Sequence, residues 1–86
     1  MQVVDALVSA SRFVRRHDGA VVSATVDGGP AAEAGLREGD LIVEINRSPT
    51  RDLEAFNDQV RNMKKGETYL FRIIRQNRGF YVGFRL

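Results

Sequence analysis

The chain has 86 residues, 43% hydrophobic and 28% charged, with a formal net charge of +2, the composition of one globular domain with one core. It has no cysteine and a single histidine, His17, which excludes disulfides and thiolate chemistry and leaves no ligand set for structural zinc, so no metal or cofactor is expected. No apolar run approaches the ~20 residues that span a bilayer, and the opening MQVVDALVSASRFVRR carries its charges after its apolar stretch, the reverse of an export signal. Membrane insertion and self-targeting are therefore not expected of this segment.

In chain order, the first eighteen residues are the least patterned. Ser11 to Arg15 reads as a strand that turns at His17-Asp18-Gly19, although the same segment could hold a helical turn. Ala20 to Val26 is rich in β-branched residues, and its alternation predicts a strand with Ala20, Val22, Ala24 and Val26 on one face. Asp27-Gly28-Gly29 ends it. Pro30 suits the first position of a short helical turn through Ala34, and Gly35 suits a left-handed stop. Leu41 to Ile45 predicts a second strand, with Leu41, Val43 and Ile45 on one face.

Asp52 is an N-cap candidate for a helix from Leu53 to Met63, in which Leu53, Phe56, Val60 and Met63 recur at helical spacing. Lys64 and Lys65 would complement its C-terminus, and Gly66 would end it. Tyr69 to Arg75 and Phe80 to Leu86 form a hairpin around Gln76-Asn77-Arg78-Gly79. Phe80, Val82, Phe84 and Leu86 share one side of its second strand. These elements predict an α+β domain with a curled, mostly antiparallel sheet, and a single domain over residues 1–86.

Among the thirteen basic residues, Arg12, Arg15, Arg16, Arg37, Arg72, Arg75, Arg78 and Arg85 are scattered and interleaved with Asp and Glu. They read as a solvated surface, and no nucleic acid partner is expected. Catalysis is not expected either. There is no Gly-x-Ser-x-Gly turn to hold a nucleophile, and His17 sits in a turn. Glu38 and Asp40 have sufficient work in the local backbone, and Gly28-Gly29 lead into Pro30 instead of cradling phosphate.

One segment is more specific. Gly29-Pro30-Ala31-Ala32-Glu33-Ala34-Gly35-Leu36-Arg37-Glu38-Gly39-Asp40-Leu41-Ile42-Val43-Glu44-Ile45-Asn46 has a mechanical logic. Small alanines let the helical turn pack closely on a sheet, Leu36 plugs the core after the glycine reversal, and Gly39-Asp40 turns into the strand. The segment resembles the signature of bacterial PDZ domains, and the element order from Gly19 to Leu86 resembles the circularly permuted PDZ domains of HtrA/DegP-like serine proteases. The closing strand resembles that of the C-terminal PDZ domain of such a protein.

The resemblance implies a PDZ-like, partly open β-barrel or sandwich capped by one short and one long helix, with residues 19–86 as its core. Such domains take the C-terminal or extended tail of another protein as an added strand. The tail's last side chain enters a pocket beside the long helix, and its carboxylate meets backbone N–H groups of a preceding loop. On this sequence the resemblance assigns Leu53, Asn57, Val60 and Arg61 to the groove, and Phe56 and Met63 to the core. The loop falls on Leu7, Val8, Ser9 and Ala10, and the edge strand on about Ser11 to Arg15, with Phe13 shaping the pocket. Ser9 stands where the family commonly has glycine, which departs from the pattern. Arg12, Arg15 and Arg16 would favour an acidic tail.

The function implied is a peptide-binding module that regulates, or delivers substrate to, a periplasmic or cell-envelope serine endopeptidase. An assembly module docking on neighbouring subunits is the alternative. The PDZ domain of a site-2 protease, a carboxy-terminal processing protease or a type II secretion component is another.

Overall fold

A computed structural model describes residues 2–5 and 19–85; for residues 2–5, 23 and 24 it is the backbone that is described. The strands are β1 (Gln2–Asp5), β2 (Ala20–Ala24), β3 (Leu41–Ile45), β4 (Ser48–Pro49), β5 (Thr68–Arg75) and β6 (Arg78–Arg85), with helices α1 (Pro30–Ala34) and α2 (Leu53–Arg61). The sheet runs β1-β2-β3-β5-β6, with β4 paired to β3. Every pairing is antiparallel. This is the expected α+β architecture with one short and one long helix.

The short helix forms as its sequence dictates. Pro30 occupies the first turn, Gly35 adopts φ 98°, and the Gly35 N–H reaches the Ala31 and Ala32 carbonyls. The Leu36 N–H also donates to the Ala31 carbonyl at 3.0 Å, which turns Leu36 inward, where it is buried beside Ala31. In α2, Asp52 caps as expected, its Oδ1 accepting from the Ala55 N–H at 2.8 Å.

The helix stops at Arg61, short of Met63. Asn62 closes it, while Gly66, at φ 90°, serves a separate turn in which the Glu67 N–H donates to the Lys64 carbonyl. Arg61, and neither Lys64 nor Lys65, is the basic residue of the last turn. Met63 still packs against the core.

The main core gathers Ala20, Val22, Ile42, Ile45, Phe56, Phe71, Ile73 and Phe84 with Ala31 of α1 and Leu36, which follows its glycine stop. Phe71 and Phe84 stack with ring centroids 5.2 Å apart. Two expected strand faces need correction. Opposite β5, Ile42 pairs with Ile73 but Glu44 pairs with Arg72, so Val43 is an extra, bulged residue. A bulge resets the alternation. Ile45 therefore joins Ile42 in the main core, while Leu41 and Val43 pack with Val21 and Ile74 in a second cluster. β2 is correspondingly buried through Val21 as well as Ala20 and Val22. The strand ends at Ala24, and Val26 lies beyond it, 68% exposed. In β6, Phe84 is buried, Val82 packs on the core and Phe80 is 42% exposed, because the hairpin tip reaches past the core.

Both two-residue hairpin turns use left-handed residues that are not glycine: Asn46 (φ 49°) with Arg47 (φ 67°), and Gln76 (φ 49°) with Asn77 (φ 68°). Mirror-type turns of this kind match the strand twist, and asparagine tolerates them best.

Asp40 and Arg75 make a second correction. The Asp40 carboxylate, 2% exposed, takes two bonds from the Arg75 guanidinium at 2.8 and 2.7 Å. It also accepts from the Arg37 N–H at 2.8 Å, while Arg75 donates to the Gly35 carbonyl at 2.8 Å. Asp40 thus does more than a local turn, and Arg75 is not a solvated surface charge. The hydrogen bond to Asp40 raises the Arg75 pKa above its ordinary value against the opposing cost of burial.

Asp40→Ala should destabilise the domain by about 3 kcal/mol in denaturant unfolding, the lower end of the range for breaking a buried pair, because Arg75 retains some access to water. The double variant Asp40→Leu with Arg75→Met should recover part of that loss. At Gly19 an added Cβ would lie 2.7 Å from the Ile42 carbonyl oxygen and 2.8 Å from Leu41 Cδ1, whereas at Gly35 it meets nothing within 4 Å. Gly19→Ala should accordingly cost more, about 2–3 kcal/mol, than Gly35→Ala, about 1 kcal/mol of left-handed strain.

Candidate functional site

The sheet has an edge strand at each end of its order, β1 and β6. α2 lies alongside β1. A helix beside a strand whose outer backbone groups pair with no other strand among the described residues is the arrangement that an extended segment can enter by strand addition. β1 pairs on its inner side with β2, from Asp5 opposite Ala20 to Gln2 opposite Ala24, with an irregularity between Gln2 and Val3.

α2 is amphipathic, and its faces divide the work. Phe56 is buried in the main core, and Leu53 packs against it half-buried. Val60 is 36% exposed, Asn57 is exposed, and with Leu53 they recur at intervals of four and three along one flank. Arg61 is exposed and ion-pairs with Asp58, while its Nε donates to the Asn57 carbonyl at 3.4 Å. Of the residues assigned from the sequence, Leu53, Asn57, Val60 and Arg61 are thus brought together on α2. Leu7, Val8, Ser9, Ala10, Ser11 and Phe13 lie outside the described residues.

A group that the sequence reading missed holds α2 in place. Gln59 Nε2 donates to Ser48 Oγ at 3.0 Å and to the Pro49 carbonyl at 3.1 Å, and its Oε1 accepts from Thr50 Oγ1 at 2.8 Å. Thr50 is 1% exposed, and its N–H donates to the carbonyl of the bulged Val43 at 2.8 Å. One side chain thereby ties the helix to β4 and, through Thr50, to the bulge in β3. No sequence signal distinguishes such a glutamine from a solvent-facing one, because its partners become neighbours only when the β3–β4 hairpin folds back. Among the described residues, no group of three or more His, Cys, Asp or Glu side chains is placed to hold a metal, and no helix is long and apolar enough to cross a membrane.

Comparison with known proteins gives a consistent result. The family model for the PDZ domain matches residues 11–80. A probable periplasmic serine endoprotease, DegP-like, from Pseudomonas putida (strain W619) is 34% identical over 68 residues, which is 79% of this chain and 14% of that protein. The chain therefore spans about a seventh of the length of this relative. Among solved structures, the HtrA-type protease AlgW with decapeptide superimposes with a TM-score of 0.80 at 21% identity, over 98% of this chain and 26% of that one. A substituted form of AlgW, also with decapeptide, gives a TM-score of 0.71 at 27% identity over 78% of this chain and 20% of that one. With its sheet order, its short and long helices and the Pro-Ala-Ala turn in place, the chain belongs to the PDZ domain family.

Proposed function

We propose that the chain is a peptide-recognition module that takes C-terminal or extended tails as an added strand and so regulates, or delivers substrate to, an HtrA-like serine endopeptidase of the periplasm. The chain itself performs no hydrolysis in this reading. The observation that carries it is the position of α2 alongside the edge strand β1, with Leu53, Asn57 and Val60 on one flank. Solved relatives of the same fold that carry a decapeptide support it, as does the relative named as a periplasmic endoprotease.

In the proposed groove, Val60 and Leu53 supply the apolar wall for the terminal side chain, and Asn57 addresses a polar side chain of the tail. Arg61, already paired with Asp58, contributes less net positive charge than a free arginine would. The opposite wall is N-terminal: the backbone of β1, together with the segment of Leu7, Val8, Ser9, Ala10, Ser11 and Phe13 to which the family resemblance assigns the carboxylate loop and a strand.

The affinity should be modest. A tail gains a few strand hydrogen bonds and one buried side chain, while each residue it fixes costs about 1–2 kcal/mol of backbone entropy. Dissociation constants in the micromolar range, about −8 kcal/mol or weaker, are expected. Titration of C-terminal peptides followed by NMR should shift α2 together with the N-terminal segment. Shifts at Gln2–Asp5 place the added strand on β1, and shifts at Ser9–Arg15 place it there. An absence of shifts at millimolar peptide favours the assembly-module reading.

Val60→Glu should abolish binding while circular dichroism stays native, because it sets an unpaired carboxylate beside that of the ligand. Asn57→Ala should change sequence preference and leave affinity within about tenfold, on the order of 1 kcal/mol. Gln59→Leu should lower stability by about 1–2 kcal/mol, since it leaves the buried Thr50 hydroxyl without its acceptor, and should weaken peptide binding by loosening α2 from β4.

A further inference from the structure

The second sheet edge, β6, is far from the groove in strand order and has no role in the proposed binding. Which backbone groups it presents follows from β5. The Leu70 carbonyl accepts from the Asn46 N–H at 2.7 Å, and the Leu70 N–H donates to Asn46 Oδ1 at 2.7 Å, so Leu70 directs its main-chain groups away from β6. Alternate residues of a strand point their backbone groups to opposite sides. Tyr69, Phe71, Ile73 and Arg75 therefore face β6, where their partners are Phe84, Val82, Phe80 and Arg78. The N–H and C=O groups of Gly79, Tyr81, Gly83 and Arg85 consequently point outward, along an edge that pairs with no other strand among the described residues.

Some of the usual protections are missing from this edge. β6 contains no proline or lysine, and its pairing with β5 runs without a bulge from Arg78 to Arg85. Its two halves differ. A shallow pocket of about 400 Å³ formed by Pro30, Glu33 and Ala34 of α1 with Gly83 and Arg85 puts the helix beside the C-terminal half. The N-terminal half carries the exposed aromatics, Phe80 at 42% and Tyr81 at 63%. Arg75 lies over the Phe80 ring, 5.7 Å from its centroid.

We infer that the open half of β6 is a self-association surface, on which a second copy of this chain pairs antiparallel, β6 to β6, about a two-fold axis through Phe80. The occupant is chosen by self-complementarity. Outward groups must meet outward groups, so Gly79 and Tyr81 of one copy pair with Tyr81 and Gly79 of the other. The two exposed Phe80 rings then face each other, and each Tyr81 ring covers the bare backbone of the partner's glycine. In this register Arg78 falls opposite Val82, so no two arginines are set directly opposite each other. The pairing also ends before α1 obstructs the edge.

Sedimentation equilibrium of the full chain from about 10 µM to about 1 mM should show a reversible monomer–dimer equilibrium with a dissociation constant on the order of 100 µM, as fits a small interface. Phe80→Glu, which sets two carboxylates face to face, should weaken the dimer at least tenfold. Tyr81→Pro, which removes an outward donor and leaves the β5 pairing intact, should do the same. Both variants should keep a native circular dichroism spectrum, and Phe80→Glu should keep peptide binding, which separates this surface from the groove. A chain that stays monomeric at 1 mM overturns the inference. A dimer unaffected by both substitutions, or one whose intermolecular NMR contacts lie away from Arg78–Val82, overturns it equally.

Discussion

The Asp40–Arg75 pair fixes the relation between the family signature and the rest of the sheet. Its carboxylate closes the Arg37–Asp40 turn, and its guanidinium comes from the far end of β5 and also grips the Gly35 carbonyl, where α1 ends. The helix stop, the lead into β3 and the base of the last hairpin are thereby joined at one buried point. A buried ion pair adds little net stability relative to apolar packing, so its main effect is on geometry. A bidentate fork accepts one orientation of the carboxylate, and that orientation sets how α1 and Leu36 sit on the core.

From that point the sheet extends in two directions that end differently. Toward β1 the edge has α2 alongside, held by Gln59 to β4 and through Thr50 to the β3 bulge. Toward β6 the edge is half shielded by α1 and half open. A helix braced beside a strand presents a groove of fixed width, which suits recognition of side chains along an extended tail. An open edge carrying two exposed aromatics, with no helix over them among the described residues, presents backbone and rings, which suits a like strand. The bulge at Val43 serves both sides, because it lets β3 keep Ile42 and Ile45 in the main core while Leu41 and Val43 fill a second cluster.

Much of this was legible in the amino-acid order because it rests on contacts between near neighbours. Pro30, the alanines and Gly35 specify α1 through rules that span one turn, Asp52 caps α2 three residues ahead of its partner, and the signature identifies the family. What the order left open depends on residues distant in the chain. Asp40 and Arg75 are 35 positions apart, and Gln59 meets Ser48 only after the β3–β4 hairpin forms. Strict alternation predicted the wrong face for Ile45 because a bulge is a property of two paired strands, absent from either strand alone. The helix was expected to run on to Met63 because Met63 keeps the apolar spacing and does reach the core, but it reaches it from beyond the helix end.

By itself, then, the sequence determined the fold class, α1 with its glycine stop, the Asp52 cap of α2, the central strands and the family, all of which are set by local backbone preference and apolar periodicity, whereas β1 and β4 were not legible in it. Only the tertiary structure decided which strands became edges, which of them α2 came to flank, and which polar groups were buried in pairs. Those outcomes depend on strand order and register, and hydrogen bonds between distant strands fix them only once the chain has closed on its core.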